Sequence, residues 1–128
     1  MQNNILEPSI TTFISKLYYN ILTKDNRHII DWDISGKVII VHDKILFKKL
    51  LSENYKHSKI KSFKRQLNYY GFKNYWKYKK NNDNNIILAY YHRFFVKGNE
   101  KLLSNISRIN LRLEYIKKEY YNSININD

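Results

Sequence analysis

Apolar residues recur along this chain in two rhythms, one close to a helical turn and one alternating. Between Ser9 and Leu22, residues Ile10, Phe13, Ile14, Leu17 and Ile21 follow the i, i+3, i+4, i+7, i+11 stripe of an amphipathic helix. Pro8-Ser9 gives its start signal and Asp25-Asn26 its stop. His28 to Trp32 and Lys37 to Val41 are β-branched runs joined by Asp33-Ile34-Ser35-Gly36, which predicts a hairpin. Asp43 is a suitable N-cap for a second helix, whose apolar side is Leu46, Phe47, Leu50 and Leu51. A third helix is expected over Ser58–Tyr70, closed by Gly71 in a left-handed C′ position. Phe72 to Tyr78 reads as a strand, Lys79 to Asn85 as a polar turn, and Ile86 to Tyr91 as the returning strand. From Asn99 onward the pattern is helical again. Two adjacent helices followed by a β-hairpin predict an α+β fold of the winged helix-turn-helix kind: a three-helix bundle, a small antiparallel β-sheet and a C-terminal helix.

The third helix is two-faced. At about 100° per residue, Ile60, Phe63, Leu67 and Tyr70 share the core side. Lys61, Ser62, Arg65, Asn68 and Tyr69 share the other, with Lys64 at its margin. No acid occurs anywhere from Lys56 to Lys80. Composition enlarges this local picture. With Lys+Arg 23 against Asp+Glu 11, the chain carries a formal charge of +12, and its pI is about 9.8. Such a charge favours a polyanionic partner, either nucleic acid or an anionic membrane surface. The 18 Lys against 5 Arg match the codon drift of an AT-rich genome, but drift does not explain the scarcity of acids. An Arg and an Asn about one turn apart, flanked by Lys, are the inventory of a major-groove reader. Arg pairs bidentately with guanine, Asn contacts a base or phosphate, and Lys neutralises phosphates. Periodicity alone leaves a merely solvated basic face equally open.

Other chemistries lack their residues. There is no Cys, hence neither a disulfide framework nor a thiolate metal site. Met1-Gln2-Asn3-Asn4 lacks the charged and apolar regions of a secretory signal, and no apolar run has the length of a membrane span. The expectation is a soluble, intracellular protein. Asn105-Ile106-Ser107 fits a glycosylation sequon by chance in so Asn-rich a chain. His28, His42, His57 and His92 show no zinc-ligand spacing, so no metal is expected. Without a nucleophile elbow, phosphate loop or carboxylate pair, no enzyme, catalytic residue or cofactor is expected. Trp32 and Trp76 are expected in core or hairpin packing. Tyr75, Trp76 and Tyr78 beside Lys77, Lys79 and Lys80 offer a minor alternative, stacking on single strands.

Ser62-Phe63-Lys64-Arg65-Gln66-Leu67-Asn68-Tyr69-Tyr70-Gly71-Phe72-Lys73 resembles the signature of the heat shock transcription factor DNA-binding domain. Phe13-Ile14-Ser15-Lys16-Leu17 is similar to that family's opening helix, and Ile30-Asp31-Trp32 with Ser35-Gly36 to its first hairpin. Tyr55-Lys56-His57 is similar to its approach to the recognition helix, and Tyr90, His92, Phe95, Gly98, Leu102, Leu103, Ile106 and Arg108 to its closing segment. The resemblance implies a nuclear, sequence-specific regulator of transcription whose recognition helix enters the major groove of double-stranded DNA at nGAAn repeats. It implies that Arg65 reads the guanine, with Ser62 and Asn68 in supporting contacts. Lys56, His57, Gln66, Tyr70, Lys73 and Arg108 fall at or near backbone contacts, and Lys61 and Lys64 add phosphate-neutralising charge.

The chain departs from the family pattern at Tyr18, where a Trp is usual, and at Leu50-Leu51-Ser52, one residue shorter and without Pro. Lys61 and Lys64 replace small apolar residues, Asn74 replaces a basic one, and the wing from Lys79 to Asn85 is short. Leu102, Ile106, Ile109, Leu113, Ile116 and Tyr120 alternate spacings of four and three, a heptad seam too brief for a strong coiled coil and ended by Ser123. The expected organisation is an N-terminal arm (1–10), the DNA-binding domain (11–108) and a short helical tail (109–128), with little room for further regions. The expected state is a monomer that oligomerises only on DNA. Two other readings stay open: a non-specific nucleic-acid or chromatin-binding module, and an interaction protein acting on longer relatives through its C-terminal helix.

Overall fold

The computed structural model describes residues 9–56, 59–80 and 86–108, together with residue 120. The opening helix, α1, is α-helical only over Thr12–Ser15 and continues as a π-helix over Lys16–Ile21. The wider turn is marked by Leu22 N–H donating to the Leu17 carbonyl at 3.0 Å. A single α-helix to Leu22 was expected; over so short a stretch the apolar stripe is nearly the same for both helix types, so periodicity does not separate them. Asn26 supplies the expected stop by donating its side-chain amide to the Ile21 carbonyl at 2.9 Å.

Strands β1 (Ile30–Trp32) and β2 (Val38–Val41) pair antiparallel as the expected hairpin, with Trp32 opposite Ile39. Asp33 ties the turn between them. Its carboxylate accepts from the Ser35 hydroxyl at 2.6 Å and backbone N–H at 3.1 Å, and from the Tyr78 hydroxyl at 2.7 Å. Burial pushes the Asp33 carboxyl up, but these hydrogen bonds, with those from the Val38 and Lys37 backbone, hold it below the usual range.

Helix α2 (Lys44–Asn54) is capped by Asp43, which accepts from Leu46 N–H at 2.9 Å. Phe47, Leu50 and Leu51 are buried, whereas Leu46, expected with them, is 36% exposed. It lies about a quarter-turn from the centre of the Phe47–Leu50–Leu51 stripe, at the helix entrance. Helix α3 (Ile60–Tyr69) ends in a Schellman motif: Phe72 N–H donates to the Leu67 carbonyl and Gly71 N–H to that of Asn68, with Gly71 at φ 85°.

The wing differs most from expectation. Strand β3 covers only Lys73–Asn74, and the chain then turns into a short helix, α4 (Lys77–Lys80), where a strand to Tyr78 was expected. Tyr75 and Tyr78 both pack against Val38, Ile40 and Ala89, and Tyr78 reaches Asp33. Residues three apart share a helical face but point to opposite faces of a strand, so this packing selects the helical turn. Strand β4 (Leu88–Tyr91) returns through the middle, giving the order β1-β2-β4-β3. Ile39 and Val41 face the main core while Val38 and Ile40 lie beneath the two tyrosines, which explains why β2 is apolar throughout.

After β4 the chain enters a 3-10 segment, Glu100–Asn105, rather than a regular α-helix. Leu103 and Ile106 are buried in the main core with Ile14, Leu17, Phe47 and Phe63, and Leu102 is half-buried. Leu103 was not assigned to the expected seam; the three-residue spacing of a 3-10 turn puts it in line with Ile106. The seam beyond Ile106 lies outside the described residues except for Tyr120, which is helical and exposed, and so do the N-terminal arm through residue 8 and wing residues 81–85. No helix among the described residues is long and apolar enough to cross a membrane.

Candidate nucleic-acid interface

Helix α3 owes its orientation to aromatic packing. Phe13 of α1 stacks on Tyr70 at 5.4 Å with the rings 5° apart, and on Tyr55 at 5.2 Å. Phe63 meets Phe47 edge-on at 5.1 Å. These contacts hold Phe63, Leu67 and Tyr70 inward and turn the opposite face of α3 to solvent. Lys61, Arg65 and Asn68 are exposed there, and Ser62, Lys64, Gln66 and Tyr69 are half-buried beside them.

Two open grooves flank this face. One is lined by Lys56, Lys59, Lys61, Ser62, Arg65, Gln66 and Tyr69. The other is lined by Lys44, Ile60, Lys61, Lys64, Arg65, Asn68 and Ile87. Lys61 and Arg65 belong to both and form the ridge between them, one helical turn apart. Among the described residues no carboxylate lines either groove. A polyanion seated across the ridge therefore meets cations on both sides without an opposing charge.

Lys56 is set by its neighbour. The Tyr55 hydroxyl donates to the Phe13 carbonyl at 2.9 Å, and burial pushes this phenol's pKa far up, so Tyr55 remains a neutral anchor. The Lys16 ammonium donates to the Asn54 carbonyl at 2.7 Å and ties α1 to the end of α2. Arg108, distant in sequence, lies with its guanidinium carbon 4.7 Å from the centre of the Tyr69 ring, and so joins the first groove's flank.

The structure thus brings together Lys56, Lys61, Ser62, Lys64, Arg65, Gln66 and Asn68, with Arg108 beside them. Tyr70 stands apart: it is 8% exposed, its ring is in the core, and little of it is left for a phosphate. Lys73 is exposed on β3 and lines neither groove, and His57 lies outside the described residues. Asn74 shares a hydrogen bond with Tyr90 rather than presenting a charge. His92 accepts from Phe94 N–H at its Nδ1 at 3.0 Å, and burial lowers its pKa.

Two groove residues escaped the sequence reading. Lys59 was legible, since extending the Tyr69–Gln66–Ser62 stripe back one turn reaches it. Lys44 was not, because only the tertiary approach of α2 to α3 places it there.

Helices α2 and α3, the sheet beside them, and a cationic face with no carboxylate among its described residues define a winged helix-turn-helix module built to meet a polyanion. A family model described as HSF-type DNA-binding matches residues 13–109, and the chain belongs to this family. It is 34% identical over 100 residues to heat shock factor protein 3 of Gallus gallus, covering 75% of this chain and 21% of that protein. With the heat shock transcription factor of Kluyveromyces lactis it shares 35% identity over 102 residues, covering 75% and 15%. The chain therefore spans about a fifth or less of these relatives' length. Among solved structures, Chaetomium thermophilum Skn7 with HSE DNA superposes with a TM-score of 0.68 at 28% identity, covering 77% of this chain and 100% of that one. A heat shock transcription factor/DNA complex superposes with a TM-score of 0.52 at 32% identity, covering 64% and 94%.

Proposed function

We propose that this chain regulates transcription in the nucleus by laying α3 in the major groove of double-stranded DNA at nGAAn repeats. The observation that carries this reading is the Lys61–Arg65 ridge between two cationic grooves, neither lined by a carboxylate among the described residues. B-DNA's major groove is about 12 Å wide and admits one helix, with a phosphate strand along each edge. Arg65 stands at the ridge and forks guanine O6 and N7. Ser62 and Asn68, on opposite sides of it, take the supporting positions. Lys56, Lys59 and Gln66 face one phosphate strand, Lys44 and Lys64 the other, and Arg108 and Lys73 extend the backbone contacts. The solved neighbours support the DNA partner, since one is Skn7 with HSE DNA and the other a heat shock transcription factor/DNA complex.

Lysine enrichment favours a second reading, a less selective duplex-binding module. Lys61 and Lys64 raise affinity for any duplex without reading bases. Titrating the chain against an inverted GAA-repeat duplex and a scrambled duplex at one fixed salt concentration separates the two. The proposed function requires at least a hundredfold preference for GAA, whereas a ratio near one establishes the non-selective module.

A further inference from the structure

On the reading that Arg108 touches the phosphate backbone, we propose that Tyr69 is the residue that positions it. Arg108 follows Ile106, which is buried at 1% exposure, but Ser107 and Arg108 themselves have no regular structure and are exposed. A long side chain on such a segment samples many rotamers, and ordering it on DNA costs entropy. The Tyr69 ring removes much of that freedom in advance. Its centre lies 4.7 Å from the Arg108 guanidinium carbon, within cation–π range.

The backbone that carries the ring is fixed. Tyr69 occupies the last turn of α3, between Asn68 and Tyr70, where the Schellman closure and the stack of Tyr70 on Phe13 define the helix end. It lines the groove that holds Lys56, Lys59 and Arg65. The stack therefore delivers the charge of the closing segment to the phosphate-facing flank of the recognition helix. A guanidinium held over an aromatic ring keeps N–H donors for a phosphate that a carboxylate partner would occupy. Among the described residues no carboxylate lines that groove.

The test compares Arg108→Ala, Tyr69→Leu, Tyr69→Phe and the Arg108→Ala/Tyr69→Leu double variant in the 128-residue chain. Each is titrated with an inverted GAA-repeat duplex over a salt series, after circular dichroism has confirmed the fold. Arg108→Ala is expected to weaken binding and flatten the salt dependence by about one unit of slope. Tyr69→Leu should weaken binding by about two- to fivefold, the scale of an exposed cation–π pair, while Tyr69→Phe, which keeps the π face, should bind like the parent chain. The double variant should be no weaker than Arg108→Ala alone, because the ring acts through the arginine. Additive losses, or a Tyr69→Phe variant as weak as Tyr69→Leu, overturn the inference while leaving the Arg108 contact standing. Unchanged affinity in Arg108→Ala overturns it through the contact on which it rests, even if ring-current shifts of the Arg108 δ protons show the stack in the free chain. The GAA preference set by Arg65 is measured separately, so neither failure is mistaken for failure of the proposed function.

Discussion

Arg65 and the lysines around it differ in what each charge can read. Arg65 is exposed on the ridge between the two grooves, where a planar fork of donors can meet a base edge. A bidentate guanine contact discriminates by about 1–3 kcal/mol, so Arg65→Ala should lose roughly tenfold to a hundredfold on GAA duplex and far less on scrambled duplex. Equal losses on both would make Arg65 a phosphate contact. Lys61 and Lys64 carry point charges, and alanine at either should weaken all duplexes alike and lower the salt slope by about one unit. A loss confined to GAA would show that one of them reads a base. Asp33 acts on stability instead. Its folded-state pKa lies below the unfolded value near 3.9, so its contribution is complete above that pH and fades as pH falls through the folded value. Losing the hydrogen bonds to its carboxylate, Asp33→Ala should cost about 1–2 kcal/mol at pH 7 in urea unfolding, and the gap from the parent chain should narrow as pH falls below about 4. A gap that persists unchanged at pH 3 would mean the loss comes from packing alone.

Helix α3 is held at its end by backbone geometry as much as by packing. Gly71 sits at φ 85°, where a Cβ crowds the following carbonyl, and both Schellman hydrogen bonds depend on that turn. Gly71→Ala should destabilise the domain by about 1–2 kcal/mol, read as a lower urea midpoint at unchanged slope; an unshifted midpoint would show that the turn adapts freely. This closure was legible in advance, since a Gly directly after an apolar-periodic run carries its own explanation. So was the division of α3 into a core face with Phe63 and Leu67 and a solvent face with Arg65 and Asn68, because helical period alone sorts them. The signature around Arg65 added the expectation of a base-reading role, which periodicity could not supply. What remained hidden depended on distant partners. Tyr75 and Tyr78 turn the chain helical because Val38, Ile40 and Asp33 wait beneath them. The 3-10 geometry at Leu103 and the approach of Lys44 to α3 depend likewise on contacts made across the fold.

Within these 128 residues, the heptad pattern after the 3-10 turn is the candidate for joining one domain to another. Leu103 and Ile106 are committed to the domain's own core, and Leu102 is half-buried, so the early part of the heptad pattern is not free to form a coiled coil. The remaining positions, Ile109, Leu113, Ile116 and Tyr120, span 12 residues, under two heptads, and isolated helices shorter than about 12–15 residues are marginal in water. Lys117 and Lys118 add like charge to any parallel pairing, beside domains that contribute to a formal charge of +12. DNA changes these terms. Adjacent GAA units would neutralise much of the charge and hold neighbouring domains at a raised effective concentration, so that weak contacts suffice. The 128-residue chain should therefore be a monomer in dilute solution and bind adjacent GAA units cooperatively. Sedimentation velocity at micromolar concentration without DNA, paired with titration of duplexes carrying one or three GAA units, checks both halves. A stable trimer in the absence of DNA would show that the short seam suffices, and equal affinity per unit on the two duplexes would show that neighbours do not assist one another.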